Sequence, residues 1–164
     1  MPLDMSSLAR GLAAIFKSWP SNGTEAASKI AEEYDKYCRK GKAPPGSPVF
    51  TGAEKPALAS VLAGAIGAPG GSAAAAAAAF SSGIQAYWLS PPVPFVGGAA
   101  SGVSSAMPGA AAIIGPLTGA LSNLANSEEA IGQQIASQLD AATRTVLVIF
   151  ATPTSGPPPP ATVI

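Results

Sequence analysis

From Pro56 to Ser127 the chain runs 72 residues without a single Asp, Glu, Lys or Arg. Three environments accept so long an uncharged run: a bilayer, a protein core and a protein–protein interface. A membrane-spanning helix needs about 20 consecutive apolar residues, with insertion driven chiefly by Leu, Ile, Phe and Val. The longest uninterrupted helical stretch here, Ala73 to Leu89, opens with seven alanines and goes on through two serines, a glycine and a glutamine. Alanine is close to neutral in transfer, so core or interface fits this run better than lipid does. A small membrane-active protein such as a holin stands as the alternative, on the strength of small-residue helix packing.

The charges that exist are segregated: fourteen of the eighteen precede Pro56. Nine basic and nine acidic residues cancel, which leaves no overall field to attract nucleic acid. Charged residues make up 11% of the chain, against about 25% in ordinary domains, while 18 glycines and 17 prolines raise the share of turn-formers. A surface with so little charge is best explained by being covered. At 164 residues one domain with its own core is expected.

Helical periodicity organises the N-terminal third. Asp4 is a good N-cap, and Met5, Leu8, Leu12, Ile15, Phe16 and Trp19 recur at helical spacing up to Pro20. A second helix is expected to open with Thr24 as its cap and to turn Ala27, Ile30, Ala31, Tyr34, Tyr37 and Cys38 to one side. Residues 1–42 thus form a charged helical hairpin, ending in the basic run Arg39-Lys40-Gly41-Lys42, whose charge suits a helix C-terminus. Residues 43–55 form a proline-rich linker.

Residues 56–152 form an uncharged helical and β assembly region. It begins with a short helix that has Pro56 at its first position. A longer Ala-rich helix follows, capped by Ser72 and carrying Phe80, Ile84, Tyr87 and Trp88 on one stripe. The Pro- and Gly-rich stretch after Ser90 is expected to be a loop, in which Pro94 to Val96, like Pro48 to Thr51 earlier, is at most a short strand-like run, and Ala110 to Leu124 a helix interrupted near Pro116. Ser127 caps a final helix with Glu128 and Glu129 in its first turn and Ile131, Ile135, Leu139 and Ala142 as its stripe. TRTVLVIFAT then changes period to a strand apolar on both faces, open to partners added along its edges. Residues 153–164 form a Pro-rich C-terminal arm. The fold class expected is mainly α with a small β element (α+β).

Catalytic signatures are missing from the sequence. There is no histidine, which removes imidazole metal sites and the commonest acid–base residue. The single cysteine, Cys38, lies on an apolar helix side, where thiols are inert. Glu32–Glu33 and Glu128–Glu129 are adjacent pairs that diverge by about 100° on a helix. No phosphate-binding glycine motif is present. The expectation is therefore not an enzyme, with no catalytic residue, metal or cofactor. The residues expected to make contacts are Ala76, Phe80, Tyr87, Trp88, Val146, Val148 and Phe150.

GIQAYW (Gly83 to Trp88), VPFVGG (Val93 to Gly98) and ATRTVLVIF (Ala142 to Phe150), in that order, resemble small structural proteins of tailed bacteriophages. The resemblance extends over roughly residues 56–152 and leaves the charged hairpin outside it. It implies a virion protein of the neck, tail or baseplate, made in the host cytoplasm. Its partners would be copies of itself, as a homo-oligomer, and other structural proteins. No residue-level role follows from it.

Overall fold

Among the described residues, three helical pairs are each followed by β-structure. The structure is a computed structural model and describes residues 3–18, 20–66, 68, 71–97, 100–123, 126–151 and 161–164. The first unit is α1 (Met5–Lys17), α2 (Gly23–Cys38) and β1 (Ser47–Pro48). The second is α3 (Glu54–Ile66), α4 (Ala73–Leu89), β2 (Pro94–Gly97) and β3 (Ala100–Ala106). A 3-10 helix, Pro108–Ile113, leads into the third: α5 (Ile114–Ser122), α6 (Glu128–Thr143), β4 (Leu147–Ala151) and β5 (Ala161–Thr162). The fold is mainly α with a small five-stranded antiparallel sheet.

The helices close on themselves. Each packs on its neighbours in sequence, and α1 also packs along α6, so the six form a ring. The caps set where several of them begin. Asp4 accepts from the Ser7 amide at 3.1 Å, Ser72 from Ala75 at 3.1 Å and Ser127 from Ala130 at 3.2 Å, each satisfying one orphan donor of a first turn. Leu8, Leu12 and Ile15 of α1, Ile30 and Tyr34 of α2, Leu58 and Leu62 of α3, Ile84 and Trp88 of α4, Leu117 of α5 and Ile135 and Leu139 of α6 are buried in one core. At the tightest crossing a Cβ on Gly132 would lie 2.8 Å from the Ala13 nitrogen and 2.9 Å from the Ala9 carbonyl. Only glycine lets α6 approach α1 so closely.

The sheet, in the order β1-β2-β3-β4-β5, packs its inner face on the C-terminal end of α4. Trp88 stacks on Phe95 at 6.2 Å between ring centroids, and Phe95 meets Phe150 edge-on at 6.4 Å. Phe95, Gly102 and Phe150 are cross-strand partners. A Cβ on Gly102 would stand 2.7 Å from the Phe150 ring, so the absence of a side chain there is what lets the two rings meet. Ser104 ties the sheet to the helix: its hydroxyl donates to the Trp88 carbonyl and accepts from the Val93 amide.

Several sequence expectations change. The two helices of residues 1–42 pack on each other, but α1 also packs along α6 and α2 along α3. Asn22, not Thr24, caps α2, accepting from the Glu25 amide at 2.8 Å. Helix α3 opens at Glu54, two residues before Pro56, and Pro116 sits in the first turn of α5, where its missing N–H costs nothing. The 43–55 linker contains β1 and the start of α3.

The stretch after Ser90, expected to be a loop, contains β2 and β3. The strand expected to take partners from another chain along its edges has them from its own, β3 and β5. Its faces also differ: Val148 and Phe150 are buried, whereas Ile149 is 51% exposed. At the C-terminal end Val163 is fully buried and Ile164 exchanges two main-chain hydrogen bonds with Lys42, at 2.8 and 3.0 Å. Residues 161–164 are thus part of the fold and not of an arm. Trp19, Leu124 and residues 152–160 lie outside the described residues.

Candidate interaction surface

Six of the seven residues expected at an interface lie inside the chain. Phe80, Tyr87, Trp88, Val146, Val148 and Phe150 are all 2% exposed or less. Their own core uses them up, so none presents a surface to a partner. Ala76 alone is half-buried. It lines a hollow of about 230 Å³ between helices, together with Phe16, Ile30, Ile66, Phe80 and Leu121.

The polar groups of the core pair with one another. The Tyr34 hydroxyl lies 2.7 Å from Thr143 Oγ1 and accepts from Trp88 Nε1 at 3.0 Å. The Tyr87 hydroxyl donates to Asp35 at 2.8 Å and the Tyr37 hydroxyl to Asp140 at 2.5 Å. Each of these aspartates also holds an arginine four residues on, Arg39 and Arg144, in a two-pronged pair. Both arginines are the C-cap residues of their helices, α2 and α6, where a cation also suits the helix dipole. Arg39 further lies over the Phe50 ring at 4.6 Å.

Burial pushes the hydroxyls of Tyr34, Tyr37 and Tyr87 and the thiol of Cys38 up from their ordinary values. These groups stay neutral at neutral pH and are poor nucleophiles. No buried side-chain nitrogen or oxygen among the described residues lacks a hydrogen bond. The described residues contain no cluster of three or more metal-ligating side chains, and no helix among them is long and apolar enough to cross a membrane.

The outer face of the sheet is different. The exposed large hydrophobics of the described residues are Val49, Val96, Val103, Ile149 and Ile164, between 47% and 54% exposed. Strand alternation puts all five on this one face. Val96, Val103 and Ile149 belong to β2, β3 and β4. Val49 continues β1 through its amide bond to the Pro94 carbonyl at 2.7 Å, and Ile164 continues β5 beyond the buried Val163.

Register arranges the face in rows. Pro94, Val103 and Ile149 stand opposite one another across three strands, and so do Val96, Ser101 and Ala151. Between the rows is a shallow hollow of about 520 Å³ lined by these residues. None of the five strands carries a charged residue. Sequence reasoning missed this surface because it took 91–109 for a loop; the only signal was the alternation of Val96 and Val103 with buried neighbours. Comparison with family models, with curated proteins and with solved structures finds no match.

Proposed function

We propose that the chain is a structural assembly subunit that acts through protein–protein contacts, as a neck, tail or baseplate component of a phage-like particle. The observation that carries the reading is the outer face of the sheet: five large apolar side chains are exposed on strands, or their continuations, that themselves carry no charge. Scattered surface hydrophobics are ordinary, but their concentration on one face is the mark of a contact surface. The phage-like setting is supported by the resemblance of GIQAYW, VPFVGG and ATRTVLVIF to small virion proteins.

The test is mass spectrometry of purified particles together with cross-linking. The expected result is the chain at a fixed ratio to other structural proteins, with cross-links from residues that border the sheet, such as Lys42. Its absence from washed particles, or full retention in the membrane pellet after carbonate extraction, overturns the reading.

A further inference from the structure

We infer that the chain is three copies of one helix–helix–strand unit, joined end to end and packed head to tail as an intramolecular trimer. The copies are in register. Counted from the N-caps of α2, α4 and α6, which are Asn22, Ser72 and Ser127, the residues eight further on are Ile30, Phe80 and Ile135, and those twelve further on are Tyr34, Ile84 and Leu139. None of the six is more than 2% exposed. Amphipathic helices share a period but not a starting point, so caps at one fixed distance from the buried stripe say more than periodicity does.

The match reaches beyond these helices. Six residues before the same caps are Phe16, Ile66 and Leu121, at the ends of α1, α3 and α5, and all three converge on one hollow. Twenty-three residues after Ser72 and Ser127 are Phe95 and Phe150, which meet edge-on in the sheet. Phe50 stands five residues later in its own unit and lies 6.0 Å from the Trp88 ring.

Contacts repeat as well as positions. Helix α2 packs on α3, α4 on α5 and α6 on α1, so the second helix of each unit meets the first helix of the next. That is a head-to-tail interface whose rotation closes a ring. Tyr37 and Tyr87 are equivalent positions, and so are Asp35 and Asp140. Each tyrosine donates to the aspartate of the unit before it around the ring, Tyr87 to Asp35 at 2.8 Å and Tyr37 to Asp140 at 2.5 Å. The third such bond would run from position 142 to position 85, where the chain has Ala142 and Gln85. There the 3-10 helix has moved in: the Ser81 hydroxyl donates to the Ala110 carbonyl at 2.7 Å, and a Cβ on Gly109 would lie 3.3 Å from the Ala142 Cα. Two junctions keep the bond and one is repacked.

Turning one layer of the core about the axis tests the equivalence. Phe80→Ile removes volume from the layer eight residues past the caps, and Ile135→Phe returns it one unit further round. In the full chain each single change should lower the urea midpoint, and the double variant should recover at least about half of the summed loss. Phe80→Ile with Ile30→Phe is the same turn in the other direction and should recover likewise. The control, Phe80→Ile with Leu139→Phe, moves the ring to a position as buried but in another layer, where the losses should add. Recovery in either turned pair beyond the control upholds the inference. Additive losses or failure to fold in both turned pairs overturns it, and so does equal recovery in the control.

Discussion

The indole N–H of Trp88 donates to the Tyr34 hydroxyl at 3.0 Å, and the rest of the chain fixes where the protons go. Thr143 donates its own hydroxyl proton to the Leu139 carbonyl at 2.7 Å. Tyr34 must therefore give its proton to Thr143 Oγ1 while it accepts from Trp88. Helices α2, α4 and α6 are thereby joined inside the core by fully buried groups.

Replacing Tyr34 with Phe should cost about 1 to 3 kcal/mol, because the Trp88 N–H is left buried and unsatisfied. Thr143→Val should also destabilise by stranding the Tyr34 proton. The double variant is expected to lose less than the sum of the two, since the shared bond is counted twice. Urea denaturation of the three variants measures the cycle, and strict additivity would show that the bonds act independently.

Gly132→Ala opposes two effects. Alanine favours a helix by about 1 kcal/mol over glycine, yet its methyl would sit within 3 Å of the α1 backbone. Backbone cannot rotate away as a side chain can, so overpacking of about 1 to 3 kcal/mol should win. A lowered thermal midpoint is the expected readout; a raised one would mean that α1 and α6 separate freely.

Acid should release one specific clamp. Glu54 is fully buried and accepts from the Thr51 amide and hydroxyl, both at 2.7 Å, and from the Gly52 amide at 2.8 Å. Burial raises its pKa, but these bonds outweigh it and hold the carboxyl below its ordinary value. A lowered folded-state value means that its stabilisation is fully present above about pH 4.3, the unfolded value, and is lost as pH falls through the folded one. Unfolding midpoints of wild type and Glu54→Gln should differ at pH 7 and converge in acid. A gap independent of pH would exclude the carboxylate as its source.

Ending the chain at Pro160 should destabilise the domain. It removes the fully buried Val163, whose burial is worth about 1.5 to 3 kcal/mol, and the paired hydrogen bonds between Ile164 and Lys42. Denaturant titration should show the loss; an unchanged midpoint would place these residues outside the cooperative unit.

The helices were legible because their signals are local. Asp4, Ser72 and Ser127 cap as their side-chain chemistry dictates, and the stripe Phe80, Ile84, Tyr87 and Trp88 is buried throughout. The third strand was not legible, and the second showed only as the short strand-like run Pro94 to Val96. Ala100–Ala106 is rich in small residues of low strand propensity and owes its conformation to pairing with β2 on one side and with β4, more than forty residues away in sequence, on the other. The contact surface was lost with them. The same residues that sequence patterning flags as apolar and aromatic are the ones a core consumes first. What remains on the sheet's outer face is set by register, which short runs of Gly, Ser and Ala do not specify.

The contact between α1 and α6 also governs how the chain reaches its native state. Ala13 and Gly132 meet across 119 positions of sequence, so the ring closes between its first and last members. Contacts of such long range carry a loop-closure cost before they return any stability, and they slow folding. During synthesis the apolar side of α1, with Leu8, Leu12 and Ile15, has no α6 to lie against until residues 128–143 have emerged from the ribosome. Through that interval the nascent polypeptide offers an amphipathic helix to chaperones or to neighbouring nascent chains.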